Sequence, residues 1–275
     1  MINGTLDRDL ITNPEMWNLL LRLSPTEMHL VAYSIVEDNS LIYRRFPIDS
    51  NSGSYLRALE EVIYDNPMIL SDFRRVYCVI QTSTQVVAPS DYTSETDREL
   101  LLSASHPDFK GSVLTDTTGT RNAIIISGIE NDLSAFLHRT FHNVIISSHL
   151  SPLCRFFAMK AGKSNSMKML VNLRDTSLDV IIMQGGNLML ANTFSFSNPM
   201  DAVYYILACR NRIGLDPHND ELILAGDTTV REKVLPVLRT YLARVIPAIF
   251  PPQMFKFGKD AMIAPFDLII TPICE

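Results

Sequence analysis

Residues 19–46 read LLLRLSPTEMHLVAYSIVEDNSLIYRRF, and residues 169–196 read MLVNLRDTSLDVIIMQGGNLMLANTFSF. Both stretches have the same layout of strand, short turn, strand, turn and strand, because apolar runs alternate with Ser, Pro, Asp, Asn and Gly. A unit that occurs twice in a chain usually packs against its twin. The repeat therefore predicts two similar lobes.

A helix and a buried strand are predicted after each copy. In the first copy these are residues 54–65 and the apolar run VYCVI at 76–80; in the second they are residues 201–212, closed by Gly214, and a strand beginning at 222–224. A further helix is predicted at 230–245.

About eighty residues of the first copy have no counterpart in the second. They predict strands at 85–88, 122–127 and 144–147, helices at 95–103, 131–140 and 150–161, a turn at Gly111 and a loop at 116–120. Strands that alternate with helices favour sheets covered by helices over a β-sandwich.

Composition and charge exclude several classes of protein. The chain has 275 residues, 47% of them hydrophobic, and a net charge of −6, so it can bury a full core and lacks the basic surface that nucleic acid requires. Residues 1–17 lack the basic start and apolar run of a signal peptide, and no apolar stretch approaches the length of a membrane span. We expect a cytoplasmic protein without nucleic-acid partners and without direct membrane insertion.

The segment 250–275, FPPQMFKFGKDAMIAPFDLIITPICE, is rich in proline and β-forming residues. Such a composition is typical of extended chain and argues against an amphipathic, membrane-docking tail. We expect this segment to form strands that complete the second lobe.

The order of three strands, a helix, a strand, a helix and a strand occurs twice in the chain. This order resembles the duplicated ribonuclease H-like lobe of the actin, sugar kinase and Hsp70 superfamily. The pattern is most similar to the bacterial branch that contains the division protein FtsA and the pilus-assembly protein PilM, whose extra subdomain matches the insertion around VVAPSDY at 86–92. As a whole the chain resembles an uncharacterised bacterial family with an actin-like ATPase fold. The resemblance implies an α/β protein with a first lobe at 1–162, an inserted subdomain at about 84–141 and a second lobe at 163–275.

In that superfamily two strand-to-strand turns, each with an Asp and a Gly, hold nucleotide phosphates and Mg²⁺. The resemblance places Arg22 and Ser24 in the first turn, Asn172 and Arg174 in the second, and Gly226 where a glycine pair passes the nucleoside. Neither acid is present, and Mg²⁺ prefers hard oxygen ligands over a guanidinium or an amide. We therefore expect a degenerate nucleotide cleft with no catalytic residue, no metal and no cofactor.

Some charged and histidine side chains are ambiguous in sequence. Arg22 and Arg174 are suited to meet a phosphate directly, although a solvated surface charge is the default for a single arginine. Asp179 matches an acid that the superfamily often has late in the second turn, but a polar residue on the solvent side of a hairpin is the simpler interpretation. His138 and His142 have the helical spacing of metal ligands and His149 follows, yet no acid or cysteine completes a set, so surface histidines are expected.

Our first hypothesis is a non-catalytic actin-like scaffold that binds a protein partner. The alternative is an atypical nucleotide-binding protein or ATPase of the same fold, which would use Gly226 and an arginine in place of the metal. A small-molecule kinase is a third hypothesis, against which stands the lack of a suitable base in either turn. The sequence leaves open the identity of the partner, the pathway and the oligomeric state.

Overall fold

The chain folds into β-sheets covered by helices. The computed structural model describes residues 11–49, 53–92, 94–162, 165–216, 218–248 and 258–274. Within these residues there are two sheets of five strands and one sheet of three strands. This architecture confirms the prediction of an α/β fold with two similar halves.

The strands are β1 (Trp17–Leu23), β2 (Glu27–Ser34), β3 (Ile42–Pro47), β4 (Arg75–Ile80), β5 (Gln85–Pro89), β6 (Ser112–Thr117), β7 (Ala123–Ile129), β8 (Val144–Ser148), β9 (Lys168–Leu173), β10 (Ser177–Gln184), β11 (Asn187–Ser195), β12 (Glu221–Gly226) and β13 (Val245–Pro247). The helices are α1 (Tyr55–Tyr64), α2 (Glu95–Ser105), α3 (Asn131–Thr140), α4 (Leu150–Ala161), α5 (Pro199–Ile213), α6 (Thr228–Tyr241) and α7 (Phe266–Ile270). None of the helices in the described residues is both long enough and apolar enough to span a bilayer.

The two large sheets have the same topology. The first has the strand order β3–β2–β1–β4–β8 and the second has the order β11–β10–β9–β12–β13. Their registers also correspond, since Arg22 pairs with His29 in the first sheet and Asn172 pairs with Asp179 in the second. The two quoted stretches therefore occupy equivalent places in the two sheets.

Each large sheet has a core of its own. α1 and α3 cover one face of the first sheet, where Leu59, Ile63 and Phe136 are buried against the strands. α5 and α6 cover the second sheet through Ile206 and Val234. α5 begins at a capping box between Asn198 and Asp201, and it ends at Gly214 in the left-handed conformation, the residue that the sequence analysis named as its end.

The third sheet lies in the inserted stretch and has the antiparallel order β5–β7–β6. The sequence analysis placed a turn at Gly111 and a loop at 116–120, and missed β6. Polar residues interrupt β6, so its strand geometry comes from pairing with β7, as between Asp116 and Ile125. α3, which the predicted insertion includes, packs into the core of the first sheet; the predicted lobe boundaries otherwise stay a prediction.

The expectation of C-terminal strands is wrong for residues 258–274, while residues 249–257 lie outside the described part of the chain. Residues 258–274 form 3₁₀ turns at Lys259–Met262 and Thr271–Ile273 on either side of α7. Leu268 and Ile269 of α7 pack on the first sheet, and Phe266 contacts Phe156 of α4 with ring centroids 5.3 Å apart. Burial against the first sheet and α4 thus outweighs the local β-propensity.

Candidate functional site

The turns that follow β1 and β9 line a single cleft. Ser24 N donates to Glu27 O at 2.9 Å in the first turn, and Arg174 N donates to Ser177 O at 2.8 Å in the second. The cleft has a volume of about 670 Å³, and its walls include both turns, the start of α6 and the segment before α7. Small-molecule sites commonly enclose roughly 300–1,000 Å³.

The structure brings together all of the site residues that the sequence analysis named. The residues that line the cleft include Arg22, Ser24, Asn172, Arg174 and Gly226. Whether any of them holds a ligand stays a prediction. The first three lie at the ends of paired strands or in the tight turn, so their positions follow from the repeated topology.

Arg22 is buried, contrary to the interpretation of a solvated surface charge. Only 3% of the residue is exposed. Its Nε donates to Asp267 Oδ2 at 2.8 Å, and its Nη2 donates to Gln81 Oε1 at 2.7 Å. A carboxylate of α7 thus neutralises the guanidinium, so Arg22 belongs to the interior of the cleft wall.

Asp179 is also buried, and the interpretation of a polar residue on the solvent side of a hairpin is wrong. It has no exposed surface and accepts two hydrogen bonds from Arg174, one of them from Nη2 to Oδ1 at 2.7 Å. Burial alone would raise the pKa of Asp179, but Arg174 and His149 outweigh it and hold the pKa far below its usual range. Arg174 and Asp179 therefore form a charged, two-point pair.

Three more side chains donate to or contact Asp179. Asn172 Nδ2 donates to Oδ2 at 3.1 Å, Thr193 Oγ1 donates to Oδ1 at 2.9 Å, and His149 Nε2 lies 3.2 Å from Oδ1. His149 Nδ1 lies 3.2 Å from Ile80 O, so the ring bridges β4 of the first sheet to β10 of the second. A buried polar network therefore joins the two sheets.

The sequence analysis missed Gln81, Thr193 and Asp267. Strand register could have identified the first two. Thr193 pairs directly with Asp179. Gln81 comes directly after β4 in the first sheet, the place that Asp227 takes after β12 in the second. His149 was noticed only as a possible companion of His138 and His142, which are exposed. Over the described ranges, no group of three or more His, Cys, Asp or Glu side chains is arranged to hold a metal ion.

The cleft walls carry three arginines, each already paired with a carboxylate. The pairs are Arg22 with Asp267, Arg174 with Asp179, and Arg45 with Glu27. Two further carboxylates, Asp175 and Asp227, line the cleft without an ion-pair partner among the residues the structure describes. The cleft as described thus offers no unpaired arginine to an incoming anion.

Gly226 is required by the packing of backbone on backbone. It has φ +89°, and a Cβ atom there would lie 1.9 Å from Leu173 O. The next residue, Asp227, donates its N–H to the same Leu173 oxygen at 2.7 Å and caps α6 by accepting from Val230 N at 2.8 Å. The close approach of β12 to β9 therefore explains this glycine without any ligand.

A chain of polar contacts lies on the first hairpin at the cleft wall. His29 Nδ1 lies 2.8 Å from the Tyr43 hydroxyl, and His29 Nε2 lies 3.2 Å from Glu27 Oε2. Burial, together with the charge of Arg22, lowers the pKa of His29 to about 4. The imidazole is therefore neutral at pH 7, and the tautomer that satisfies both contacts accepts from Tyr43 and donates to Glu27.

The pKa of Asp116 in β6 is shifted in the direction opposite to that of His29. Its Oδ2 accepts from Ser148 N at 2.8 Å, yet burial raises its pKa to about 6. As the pH falls from 6.5 to 4, the unfolded chain binds more protons at His29, so this histidine makes folding less favourable. As the pH falls from 6 to 3.8, the folded chain binds more protons at Asp116, so this carboxyl makes folding more favourable.

We expect single variants to show the opposing effects of His29 and Asp116 on the pH dependence of stability one at a time. Between pH 7 and pH 4.5, Asp116→Asn should lose about 2–3 kcal/mol of stability relative to wild type on acidification, because the contribution of His29 is then unopposed. Over the same fall in pH, His29→Asn, whose amide oxygen can still accept from Tyr43, should gain a similar amount of stability relative to wild type. Urea unfolding at a series of pH values measures both changes, and curves parallel to that of wild type would contradict the expectation.

The topology and the two-turn cleft define the class of the protein: it has the actin-like ATPase fold. A Bacteroides thetaiotaomicron protein described as having an actin-like ATPase fold and unknown function superposes with a TM-score of 0.77 at 22% identity, over 97% of this chain and 99% of that one. PilM in the PilM–PilN type IV pilus biogenesis complex is a more distant match, with a TM-score of 0.56 at 12% identity over 95% and 98% of the two chains.

The family model described as "Protein of unknown function (DUF3822)" matches residues 7–245, and the chain belongs to that family. No curated protein has a significantly similar sequence. The family and the structural neighbours confirm the resemblance to an uncharacterised family with an actin-like fold and to PilM.

Proposed function

We propose that the protein is a non-catalytic member of the actin-like fold that acts by binding another protein. One observation carries the proposal: the two positions where the superfamily has acids are Arg22 and Asn172, and both contribute to buried polar pairs within the chain. Arg22 is neutralised by Asp267, and Asn172 donates to Asp179. Neither position retains a carboxylate that could bind a metal.

Mg²⁺ does not fit this set of side chains. The ion needs several oxygen ligands in near-octahedral geometry, usually including one or two carboxylates. The buried carboxylates beside these two positions, Asp179 and Asp267, already accept hydrogen bonds from arginines, and the cations beside them would repel a metal. Of the cleft-lining carboxylates without an ion-pair partner among the described residues, Asp227 caps α6 and Asp175 lies in an exposed turn. We therefore propose no reaction step that depends on Mg²⁺ or a nucleotide.

Partner binding is supported by the fold, and the net charge narrows the class of partner. PilM, which has this fold, is found in a complex with PilN. The net charge of −6 disfavours nucleic acid as the partner. We therefore propose that the protein acts by binding a protein partner, whose identity is a question for experiment.

We expect no saturable binding of ATP with Mg²⁺ in isothermal titration and no phosphate release above a protein-free control. The control variant is Thr176→Trp, which fills the cleft from an exposed turn position without removing a buried contact. Phosphate release by the wild type that disappears in Thr176→Trp would overturn the proposal.

The volume of the cleft favours the alternative of an atypical nucleotide-binding protein. A cavity of about 670 Å³ is large enough for a mononucleotide. Thermal unfolding with ATP, ADP, GTP and GDP, each without Mg²⁺, discriminates the two functions. A melting temperature that does not change supports the scaffold, and stabilisation by one nucleotide that Thr176→Trp removes supports the alternative.

A further inference from the structure

We infer that the protein forms a symmetric dimer in which the outer edge of β11 pairs with the same edge of a second copy. β11 is the terminal strand of the second sheet, and no strand among the described residues pairs with its outer edge. The strand has nine residues, none of them charged and none a proline. Natural proteins usually protect a free edge with charges, prolines or a covering segment, because an unprotected edge pairs readily with another strand.

The equivalent edge of the first sheet is protected. β3 contains two arginines and a proline within six residues. Tyr43 N donates to Asp260 Oδ2 at 3.3 Å, and the turn Lys259–Met262 packs beside β3. The two copies of the repeat therefore differ at this edge, and the difference leaves β11 available for pairing.

Backbone hydrogen bonds identify the groups of β11 that point outward. Phe196 N donates to Thr176 O, just before β10, at 2.8 Å. The bonds of an antiparallel ladder involve alternate residues of each strand. In the register of β10 with β11, Ala191, Thr193 and Ser195 therefore point their N–H and C=O groups away from β10.

Asn122 sets one limit of the open edge. Its Nδ2 donates to Leu188 O at 2.9 Å, and Leu188 N donates to its Oδ1 at 3.0 Å, so both outward groups of Leu188 are already bonded. The register with β10 shifts after this point and leaves Met189 unpaired. The open edge is therefore 190–195.

Two copies of this edge are complementary to each other. An antiparallel pair centred on Thr193 places Ala191 of one copy opposite Ser195 of the other. The three side chains are small and uncharged, so no bulky groups and no like charges meet at the axis. A two-fold axis is the commonest symmetry of soluble oligomers, and it repeats each of these contacts.

α5 offers a second contact across the same axis. Phe194 stacks on Tyr205 with ring centroids 4.8 Å apart, so the centre of the open edge and the middle of α5 lie at the same level. Residues 202–209 carry no charge, and Tyr204 and Met200 are 68% and 42% exposed. A stable interface buries roughly 1,200 Å² or more in total, and packing of α5 on its copy adds apolar area to the strand pairing.

The charges at the two ends of α5 favour a second copy over an unrelated strand. Asp201 lies in the first turn of the helix, and Arg210 and Arg212 lie in the last turn. The two-fold axis that pairs the strands also makes the two helices antiparallel, so the acidic end of each helix lies beside the basic end of the other. Opposite charges thus flank the uncharged middle of the contact.

The test is sedimentation velocity of the full chain at about 50 μM, above the micromolar dissociation constants of the weaker interfaces of this size. We expect the wild type to sediment with the mass of two chains. Asn192→Lys should sediment as one chain, because pairing would bring two lysines within about 8 Å of each other beside the axis. Asn192 is exposed and its Oδ1 accepts from Thr193 N within the same strand, so the variant should keep the fold.

Matched control variants separate the inferred interface from a general effect of charge. Asn187→Lys adds the same charge to the same strand outside the open edge, so it should remain a dimer. Tyr204→Lys should dissociate, whereas Tyr241→Lys should not, because Tyr241 is a similarly exposed tyrosine on α6, which packs on β12 and β13. Circular dichroism of each variant checks that it is folded.

Hydrogen exchange provides a second readout. Amides of residues 190–195 should exchange more slowly in the wild type than in Asn192→Lys at the same concentration, because pairing protects the outward N–H groups. A wild type that is a single chain at about 50 μM, with the edge then left to a strand of another protein, would overturn the inference. A dimer that persists in Asn192→Lys, or one that Asn187→Lys dissociates equally, would also overturn it.

The inference and the proposed function fail in distinguishable ways. Self-association needs no other protein, so a monomeric wild type would end the inference and leave the proposed function in place. Hydrolysis of ATP would end the proposed function without changing the sedimenting mass.

Discussion

Replacing Asp179 with asparagine should lower the free energy of unfolding by about 3–5 kcal/mol. The change leaves Arg174 charged and nearly enclosed, and it weakens the contacts that His149, Thr193 and Asn172 make with the same carboxylate. Removal of one partner of a buried pair costs more than removal of both, because the remaining charge stays desolvated. Urea unfolding at pH 7, followed by circular dichroism, measures the loss.

The matched control for this variant is Asp175→Asn. Asp175 lies in the same turn region, is exposed and has no ion-pair partner among the described residues, so we expect a change within about 0.5 kcal/mol. Arg174→Met combined with Asp179→Asn should recover part of the stability that the single Asp179 variant loses. Equal stability of the two single aspartate variants would show that the buried pair is unimportant for the fold.

Gly226→Ala is expected to be the most damaging single-methyl change that the cleft allows, with a loss of at least about 4 kcal/mol or a failure to fold. The added Cβ would lie 1.9 Å from Leu173 O and 2.6 Å from Leu173 N, both backbone atoms that cannot move without separating β9 from β12. The positive φ of +89° adds strain for any residue with a Cβ.

Gly214→Ala isolates the clash from the strain. Gly214 has a similar φ of +86°, but apart from its own chain neighbours none of the described residues has an atom within 4 Å of the position that its Cβ would take. We expect this control to lose only about 1–2 kcal/mol, the cost of the left-handed conformation. The expectation would be contradicted if both alanine variants unfolded at the same urea concentration.

The repeated stretches were sufficient to predict the two large sheets, because their strands are apolar runs buried on both faces. The same burial explains the error at Asp179. A polar residue in a hairpin was interpreted as solvent-facing, yet β10 is covered by α5 on one face and α4 on the other, so it has no solvent face. The alternation of polar and apolar residues indicates which side chains share a face of a strand. It does not indicate whether another element covers that face.

Other parts of the structure have no signal in local sequence. β6 contains only half-buried and exposed residues and depends on β7 for its pairing. α7 has only five residues, too few for a helical period, and its place against the first sheet depends on residues distant in sequence. The contact between Asp267 and Arg22 was therefore not predictable, although Arg22 itself was assigned to the cleft.

Arg22 and Asp267 lie 245 positions apart in the sequence, and this separation affects how the nascent chain folds on the ribosome. Domains form from the N-terminal end as synthesis proceeds, so the first sheet is complete long before α7 emerges. During that interval Arg22 lacks its counter-ion, and the apolar face made by Leu20, Val31 and Val79 lacks the residues that cover it. The growing polypeptide is therefore expected to present a hydrophobic surface of the kind that chaperones recognise until α7 has been synthesised and covers it.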